Sequence, residues 1–397
     1  MNIQPREAGS ELDSPRASIG AGKRTAFVLL TIALGLSVAA LLGELSVRTF
    51  FRYNTPATVR TNSLQYVPSL FSRQVLRPNQ RIQVDAAWGL RKDEKPTNRT
   101  YTINAMGCRG RDFSAAKPAG VRRIVILGGS SVFDLYATDG EDWPHLVEEK
   151  LRRTIPGGVE VINGGVPGHA TFDALGRLYS QVWTWDPDYV LLYSAWNDVK
   201  YFTRLDRNHP LISLFPPVGE EADPLRSYQG ILDELLCSSQ LYVKLRTRYF
   251  LRKINLGAEG VIPGGSTVDS YGPLAVVQYR LDVQLFVDAA RNLGITPVLL
   301  TEATLVTPSS TPQDQARIAY SYQHLTHEAL AHALAEANDT VRSVAREKGA
   351  KLIDLAAGLN GQPNLFEDHV HTSKKGSEAI AEVVAEYLAR ALEPHMH

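Results

Sequence analysis

The chain has 397 residues, of which 44% are hydrophobic and 21% charged, a composition typical of a folded globular protein. Lysine and arginine together number 42, as do aspartate and glutamate, so the formal net charge at pH 7 is zero. Because no excess of positive charge is present to attract phosphate backbones, we expect no nucleic-acid partner. The length suits one large domain and an appendage.

The two cysteines, Cys108 and Cys237, have no CxxC spacing and too few companions for a zinc site. A disulfide between them is compatible with an oxidising compartment. Two unpaired, small apolar side chains are the simpler interpretation, since the sequence does not determine pairing.

A membrane-spanning segment is predicted near the N-terminus. Residues 1–24 are polar and end in Lys23 and Arg24, and the stretch that follows, 25–43, carries no charge. A helix of this length, at about 1.5 Å per residue, spans about 30 Å of bilayer hydrocarbon. We therefore expect a tail over 1–24 and a transmembrane helix over 25–45.

Other interpretations of this segment stay open. Small residues at Ser37 and Ala39 fit a cleaved signal peptide, although the apolar run continues to Leu42. A buried core helix is the other alternative, but the stretch has no polar stripe. Arginines flank both ends, so orientation rests on the basic pair at 23–24 and on Glu44, which favour a cytoplasmic N-terminus and an extracytoplasmic remainder.

Residues 46–120 are rich in Arg, Pro, Asn and Thr and are predicted to be a juxtamembrane connector. From 121 to 397, short β-branched runs alternate with helical patterns. The strands are predicted at 124–127, 159–162, 189–193, 297–300 and 351–353, and the helices at 142–154, 170–184, 275–293, 313–348 and 373–391. This alternation predicts a three-layer α/β/α, flavodoxin-like domain with a five-stranded parallel sheet. An insertion at about 201–272 resembles a lid or subdomain.

Four polar signals follow the predicted strands. They are Ser130 after Gly128 and Gly129, the glycine-rich turn from Asn163 to Gly168, Asn197 with Asp198, and Asp368 three residues before His371. Singly, each has a simpler explanation: a tight or phosphate-binding turn, an Asx turn, or a metal pair formed by His369 and His371. Together they place a serine, a base and hydrogen-bond donors at one sheet edge.

In this order the four signals resemble the blocks of the SGNH/GDSL hydrolases, and the lead-in over 103–110 resembles that of membrane-anchored members. The resemblance covers about 121–391 and departs from the family at Gly129, which replaces the usual Asp, and at Ala195, which replaces Gly. It implies Ser130 as nucleophile, His371 as base and Asp368 as its partner. It also implies an oxyanion hole formed by Ser130, Gly165 and Asn197.

The chemistry implied is hydrolysis of carboxylic esters, with an acetylated carbohydrate or a lipid as candidate substrate, and it needs no metal or organic cofactor. Two alternatives stay open. The same triad can transfer an acyl group to a polysaccharide hydroxyl, and the domain can be a catalytically silent, membrane-tethered binding module. The complete set of four polar residues disfavours the silent module.

Overall fold

The computed structural model describes residues 21–50, 65–85, 98–203, 231–236, 239–257 and 267–392. The chain divides after Arg52 into two compact units. The described part of the first contains one helix, α1 (Ala21–Phe50), in which an 18-residue window within Gly22–Thr49 has a mean hydropathy of 2.4 and no buried residues. It is long and apolar enough to cross a membrane, and it contains the range 25–45 expected from the sequence; a signal sequence has the same properties.

The second unit begins with two antiparallel strand pairs. Strand β1 (Tyr66–Pro68) pairs with β2 (Gln74–Leu76), and β3 (Gln80–Asp85) pairs with β4 (Asn98–Ile103). Their apolar side chains form a small core together with Phe133 and Val166. This part of the predicted connector is therefore folded against loops of the α/β domain.

The central sheet has five parallel strands in the order β6-β5-β7-β8-β9. They are β5 (Arg122–Gly128), β6 (Val159–Gly165), β7 (Tyr189–Tyr193), β8 (Thr296–Leu300) and β9 (Lys351–Ile353). The order confirms the predicted fold class. In register, Gly128 lies opposite both Gly165 and Tyr193, so the loops after β5, β6 and β7 leave the sheet at the same edge.

Helices cover both faces of the sheet. The described α-helices of the second unit are, in chain order, α2 (Ser130–Phe133), α3 (Trp143–Arg152), α4 (Thr171–Ser180), α5 (Trp196–Val199), α6 (Ile231–Leu236), α7 (Gln240–Gly257), α8 (Pro273–Asn292), α9 (Pro312–Gln315), α10 (Tyr320–Gln323), α11 (His327–Lys348), α12 (Leu355–Leu359) and α13 (Lys374–Leu392). Side chains of β5 alternate between the two cores, as the period of a strand requires: Val125 and Leu127 pack with α4, α8 and α11, whereas Ile124 and Ile126 pack with α3 and α13.

Two predicted helices are divided in the structure. The single helix expected over 313–348 is three helices, because His324 adopts a left-handed conformation (φ 57°) that ends α10, and Thr326 then caps α11. The helix expected over 170–184 ends at Ser180 and is followed by a 3₁₀ turn, Val182–Trp185. Of the insertion, the structure describes 201–203, α6, α7 and 267–272; Cys237 lies outside the described residues, and Cys108 is buried and free.

Candidate active site

Ser130 begins the short helix α2, and Gly129 alone separates it from strand β5, which lies between β6 and β7 in the sheet. The sharp exit from the strand depends on Gly128, since a Cβ there would lie 2.1 Å from the carbonyl oxygen of Tyr193 on the neighbouring strand. Ser130 itself is half-buried, whereas Ser131 points into the core and is 7% exposed. Of the two adjacent serines, Ser130 is the one at the solvent-accessible edge of the sheet.

Ser130, His371 and Asp368 form a continuous hydrogen-bonded chain. His371 Nε2 lies 2.7 Å from Ser130 Oγ, and His371 Nδ1 lies 2.7 Å from Asp368 Oδ2. Because an ionised carboxylate only accepts, the hydrogen of the neutral ring belongs on Nδ1, which leaves Nε2 to accept the serine proton. The geometry is that of a nucleophile, a base and the group that orients the base.

Asp368 is held in place by its own loop. Its Oδ1 accepts hydrogen bonds from the backbone N–H groups of Val370 (3.0 Å) and His371 (2.9 Å), and Tyr136 donates its hydroxyl to Oδ2 at 3.2 Å. Because Asp368 lies three residues before His371, the chain forms a turn in which the Asp368 carboxylate contacts both the backbone of the turn and the imidazole of His371.

Electrostatics match this arrangement. Burial raises the pKa of Asp368, but the neighbouring His371 and His369 and the donors around the carboxylate hold it well below its ordinary value. Burial lowers the pKa of His371, but the charge and hydrogen bond of Asp368 outweigh burial and leave it raised. Asp368 is thus ionised at neutral pH and stabilises a proton on the imidazole.

Asn197, at the start of α5, lies beside the turn that carries Ser130, called the serine turn below. Its Nδ2 donates to the carbonyl of His169 at 2.9 Å, and its Oδ1 accepts from the hydroxyl of Tyr322 at 2.9 Å. These two contacts fix which end of the amide is the donor. A Cβ at Gly129 would lie 2.5 Å from Asn197 Nδ2, so the glycine that replaces the family's usual Asp leaves room for this amide.

The backbone donors differ from the sequence expectation. Gly165 is the last residue of β6, and its N–H donates to Asn163 Oδ1 at 3.0 Å, so this donor is already engaged. Gly168 lies three residues on in a half-buried turn with φ 87°, directly before His169. Among the described residues, neither its N–H nor that of Ser130 has a hydrogen-bond acceptor. The turn, and not the strand end, presents the unpaired N–H beside Asn197.

Buried carboxylates that the sequence analysis did not identify hold these loops together. Asp134, at the end of α2, accepts from Thr372 Oγ1 (2.8 Å) and Ser377 Oγ (2.7 Å) and so connects the serine helix to the segment after His371. Burial raises its pKa to about 6. In the sequence Asp134 is an acidic residue in an otherwise apolar run, and this pattern is too common to predict a structural role.

The loop after β7 has a similar brace. Asp198 accepts from Thr171 N (2.9 Å) and Ser194 Oγ (2.7 Å), which connects the Asn197 turn to the start of α4. Burial raises the pKa of Asp198 to about 7. Arg73 reaches the same region from the N-terminal strands and donates to the carbonyl of Gly168 at 2.7 Å. The folded connector therefore contributes directly to the turn beside Asn197.

His369 stacks on Trp196 with ring centroids 4.0 Å apart, and burial lowers its pKa to about 4. Ligand atoms of Asp368, His369 and His371 lie within 4.8 Å of one another, as the metal alternative required. However, both ring nitrogens of His371 are already engaged by Ser130 and Asp368. The contacts therefore favour a proton-transfer chain over a metal site.

A family model for the GDSL-like lipase/acylhydrolase family matches residues 126–379, more than half of the chain, and spans all four polar loops. The chain belongs to the GDSL-like lipase/acylhydrolase family. It is accordingly an ester-hydrolysing serine hydrolase with the α/β fold of that family. No curated protein matches the sequence.

Several solved structures of GDSL-type enzymes are similar to this chain. A lipase/acylhydrolase from Enterococcus faecalis has a TM-score of 0.41 at 16% identity, covering 70% of this chain and 100% of that one. A catalytic mutant of an acetylxylan esterase from Geobacillus stearothermophilus has a TM-score of 0.39 at 14% identity, covering 67% and 93%. A GDSL-like lipase from Bacteroides thetaiotaomicron has a TM-score of 0.34 at 12% identity, covering 68% and 89%.

Proposed function

We propose that this GDSL-family enzyme hydrolyses carboxylic esters through Ser130, His371 and Asp368. The observation that supports this most directly is the chain of two 2.7 Å contacts from Ser130 Oγ through the imidazole to the Asp368 carboxylate. Serine hydroxyls become nucleophilic when an adjacent base accepts their proton, and the base is effective when a third group orients it.

In this mechanism Ser130 Oγ attacks the ester carbonyl while His371 Nε2 accepts its proton. The imidazolium formed is stabilised by Asp368 and returns the proton to the leaving alkoxide as the tetrahedral intermediate collapses to an acyl-enzyme. Water, activated by the same imidazole, attacks the acyl-enzyme and releases the carboxylic acid and free Ser130. Every proton moves through Nε2.

We propose that the oxyanion is stabilised by the N–H of Ser130, the N–H of Gly168 and Asn197 Nδ2. Gly168 takes the role first assigned to Gly165, because the Gly165 N–H donates to Asn163. One hydrogen of the Asn197 amide is directed at His169 O, which leaves the second for the substrate. Because these donors are free at the half-buried edge of the sheet, they need not move when negative charge develops on the substrate oxygen.

Hydrolysis of short aryl esters and of acetylated sugars by the purified protein tests this proposal. We expect Ser130→Ala to abolish turnover and Ser131→Ala, the change at the adjacent serine, to lower it only about two- to fivefold. Activity that survives in Ser130→Ala and is lost in Ser131→Ala would show that the nucleophile is the other serine. Adding oligosaccharide acceptors separates the alternatives, since saturable acyl transfer to sugar would favour the transferase over the hydrolase.

We also propose that α1 anchors the enzyme in a bilayer, with the catalytic unit on the extracytoplasmic side. The support is the strongly apolar 18-residue window within its helical span Gly22–Thr49, with basic residues Lys23 and Arg24 at the N-terminal end of the span. We expect the full chain to remain with membranes after carbonate extraction, and added protease to degrade the catalytic unit in spheroplasts. A mature N-terminus near Ala40 would identify a cleaved signal peptide instead.

A further inference from the structure

Glu302 is a buried carboxylate beneath the candidate active site that the mechanism above does not use. It follows strand β8 and is 1% exposed. Its side chain accepts three short hydrogen bonds, all at 2.5 Å: Ser131 Oγ donates to Oε1, and the backbone N–H groups of Ala195 and Trp196 donate to Oε2. Because a buried carboxylate is destabilised unless it is hydrogen-bonded, these three donors are what allow a glutamate at this position.

The three donors belong to two different catalytic loops. Ser131 directly follows Ser130, and Ala195 and Trp196 directly precede Asn197. Glu302 is itself fixed by Asn338 of α11, whose Oδ1 accepts from the Glu302 N–H (2.8 Å) and whose Nδ2 donates to the Glu302 carbonyl (3.0 Å). One side chain, rigidly mounted, thus links the serine turn to the turn that carries the oxyanion amide.

We infer that Glu302 is a positioning residue for catalysis: its carboxylate sets the spacing between Ser130 and Asn197, and its negative charge stabilises the protonated form of His371. The inference rests on the proposed function. It assigns Glu302 no contact with substrate, and no bond to it forms or breaks. Spacing of this kind matters because small misplacements of catalytic groups cost large factors in rate.

The donors around Glu302 favour its ionised form. Burial raises the pKa of Glu302 above its ordinary value, and the hydrogen bonds from Ser131 and the two backbone N–H groups offset part of that effect. Two N–H groups on one oxygen and a hydroxyl on the other suit an ionised carboxylate, which offers only acceptors. The buried carboxylate lies one hydrogen bond from Ser131, the neighbour of the Ser130 that contacts His371, so solvent screens its charge little.

Several groups face His371 and set its proton affinity. Burial lowers the pKa of His371, and Asp368, Glu302 and Asp134 raise it. His369 lies in edge contact, with ring centroids 5.7 Å apart, and its own pKa is lowered to about 4, so it is neutral. Tyr136 contacts the ring edge-on at 5.5 Å and stays a neutral phenol because its pKa is raised. Of the three anions, Glu302 is the one whose carboxylate accepts from both Ser131 and the turn that carries Asn197.

Glu302→Gln tests both parts of the inference. The amide keeps the length of the side chain, and its oxygen can accept from Ala195 and Trp196 while its NH₂ donates to Ser131 Oγ, so the link survives and the charge is lost. We expect kcat/KM on the pH plateau to fall about tenfold, in kcat and not in KM. The acid-limb pKa of the kcat/KM profile should fall by about half to one pH unit, since an anion near the imidazole is gone.

Glu302→Asp makes the complementary change, because it keeps the charge but shortens the reach. We expect its acid-limb pKa to stay at the wild-type value while kcat falls, by about tenfold or more. Should Glu302→Gln fail to fold, this variant and Ser131→Ala still test the link. Ser131→Ala removes one donor only, and a drop in kcat of about two- to fivefold with an unchanged pKa is expected.

The matched control is Glu148→Gln, which neutralises a buried carboxylate whose described partners are Arg111, Arg152 and the N–H of Val161. Its melting temperature is expected to fall without a change in the acid-limb pKa. A folded Glu302→Gln enzyme with kcat/KM within twofold of wild type and an unshifted pH profile would overturn the inference. Failure of the proposed function would give a different result, namely esterase activity that persists in Ser130→Ala.

Discussion

The two sides of the candidate active site are built in different ways. On the proton-transfer side, His371 contacts both Ser130 and Asp368 directly, and it shares one four-residue turn with Asp368. On the oxyanion side, Asn197 contacts none of these three side chains; its amide is oriented by the carbonyl of His169 and the hydroxyl of Tyr322. The first side is held by its own members and the second by residues distant in the sequence.

This difference predicts how strongly a substitution on each side lowers the activity. Removing a member of the proton-transfer side breaks the chain of contacts itself, so the loss is close to complete. On the oxyanion side, several donors share the developing charge, and supporting residues act through them, so losses are partial and graded with distance from the oxyanion.

The largest effect is expected for His371→Ala, which removes the base that contacts Ser130 Oγ. We expect kcat/KM to fall by about 10⁴- to 10⁶-fold, since triad members act as a unit. Steady-state kinetics with an aryl ester measures this loss, and His145→Ala, a change on the outer helix α3, is the control. A His371→Ala enzyme that retains a tenth of wild-type activity would show that another group is the base.

Asn197→Ala comes next. Deleting one oxyanion donor costs about 10²- to 10³-fold in kcat in comparable enzymes, with KM little changed. The same change at the exposed Asn364 is the matched control and should leave kcat unaltered. A KM effect with normal kcat would place Asn197 in substrate binding and not in transition-state stabilisation.

Tyr322→Phe removes the hydroxyl that donates to Asn197 Oδ1 at 2.9 Å, but no donor to the oxyanion. One neutral hydrogen bond contributes about 1 kcal/mol, so we expect a loss of about fivefold in kcat. Tyr320→Phe, whose hydroxyl lies 2.8 Å from His327 Nδ1, is the control from the same helix. Combining Tyr322→Phe with Asn197→Ala should add little to the loss from Asn197→Ala alone, whereas additive losses would separate the two residues.

The smallest effect concerns stability. The folded pKa of Asp198 is raised from 3.8 to about 7, so burial of its charge weakens folding progressively as pH rises between these values. Asp198→Asn removes this titration. We expect the melting temperature of the variant to fall less than that of wild type between pH 5.5 and 8, by about 2–4 °C. Asp368, whose pKa is lowered, stays ionised across this range and does not contribute to the difference. Parallel curves for the two proteins would contradict the assignment.

What the sequence predicts follows the same division. The parallel strands were predictable because their apolar, β-branched runs are short and regularly interrupted, and Asp368 and His371 because a local turn needs only local spacing. Glu302 and Asp134 were not, since a buried acid is recognised by its donors, and those come from other loops. Gly165 was expected as an oxyanion donor because the sequence does not reveal that Asn163 occupies its N–H, and we propose Gly168 for that role.

Identification of the serine that reacts tests the central claim most directly. The wild-type protein and the Ser130→Ala and Ser131→Ala variants would be treated with a fluorophosphonate, digested and analysed by mass spectrometry, with esterase activity followed in parallel. The account predicts a single adduct on Ser130, loss of activity in proportion to labelling, unlabelled Ser130→Ala and labelled Ser131→Ala. An adduct on any other serine that accompanies the loss of activity, or full activity in Ser130→Ala, would contradict it.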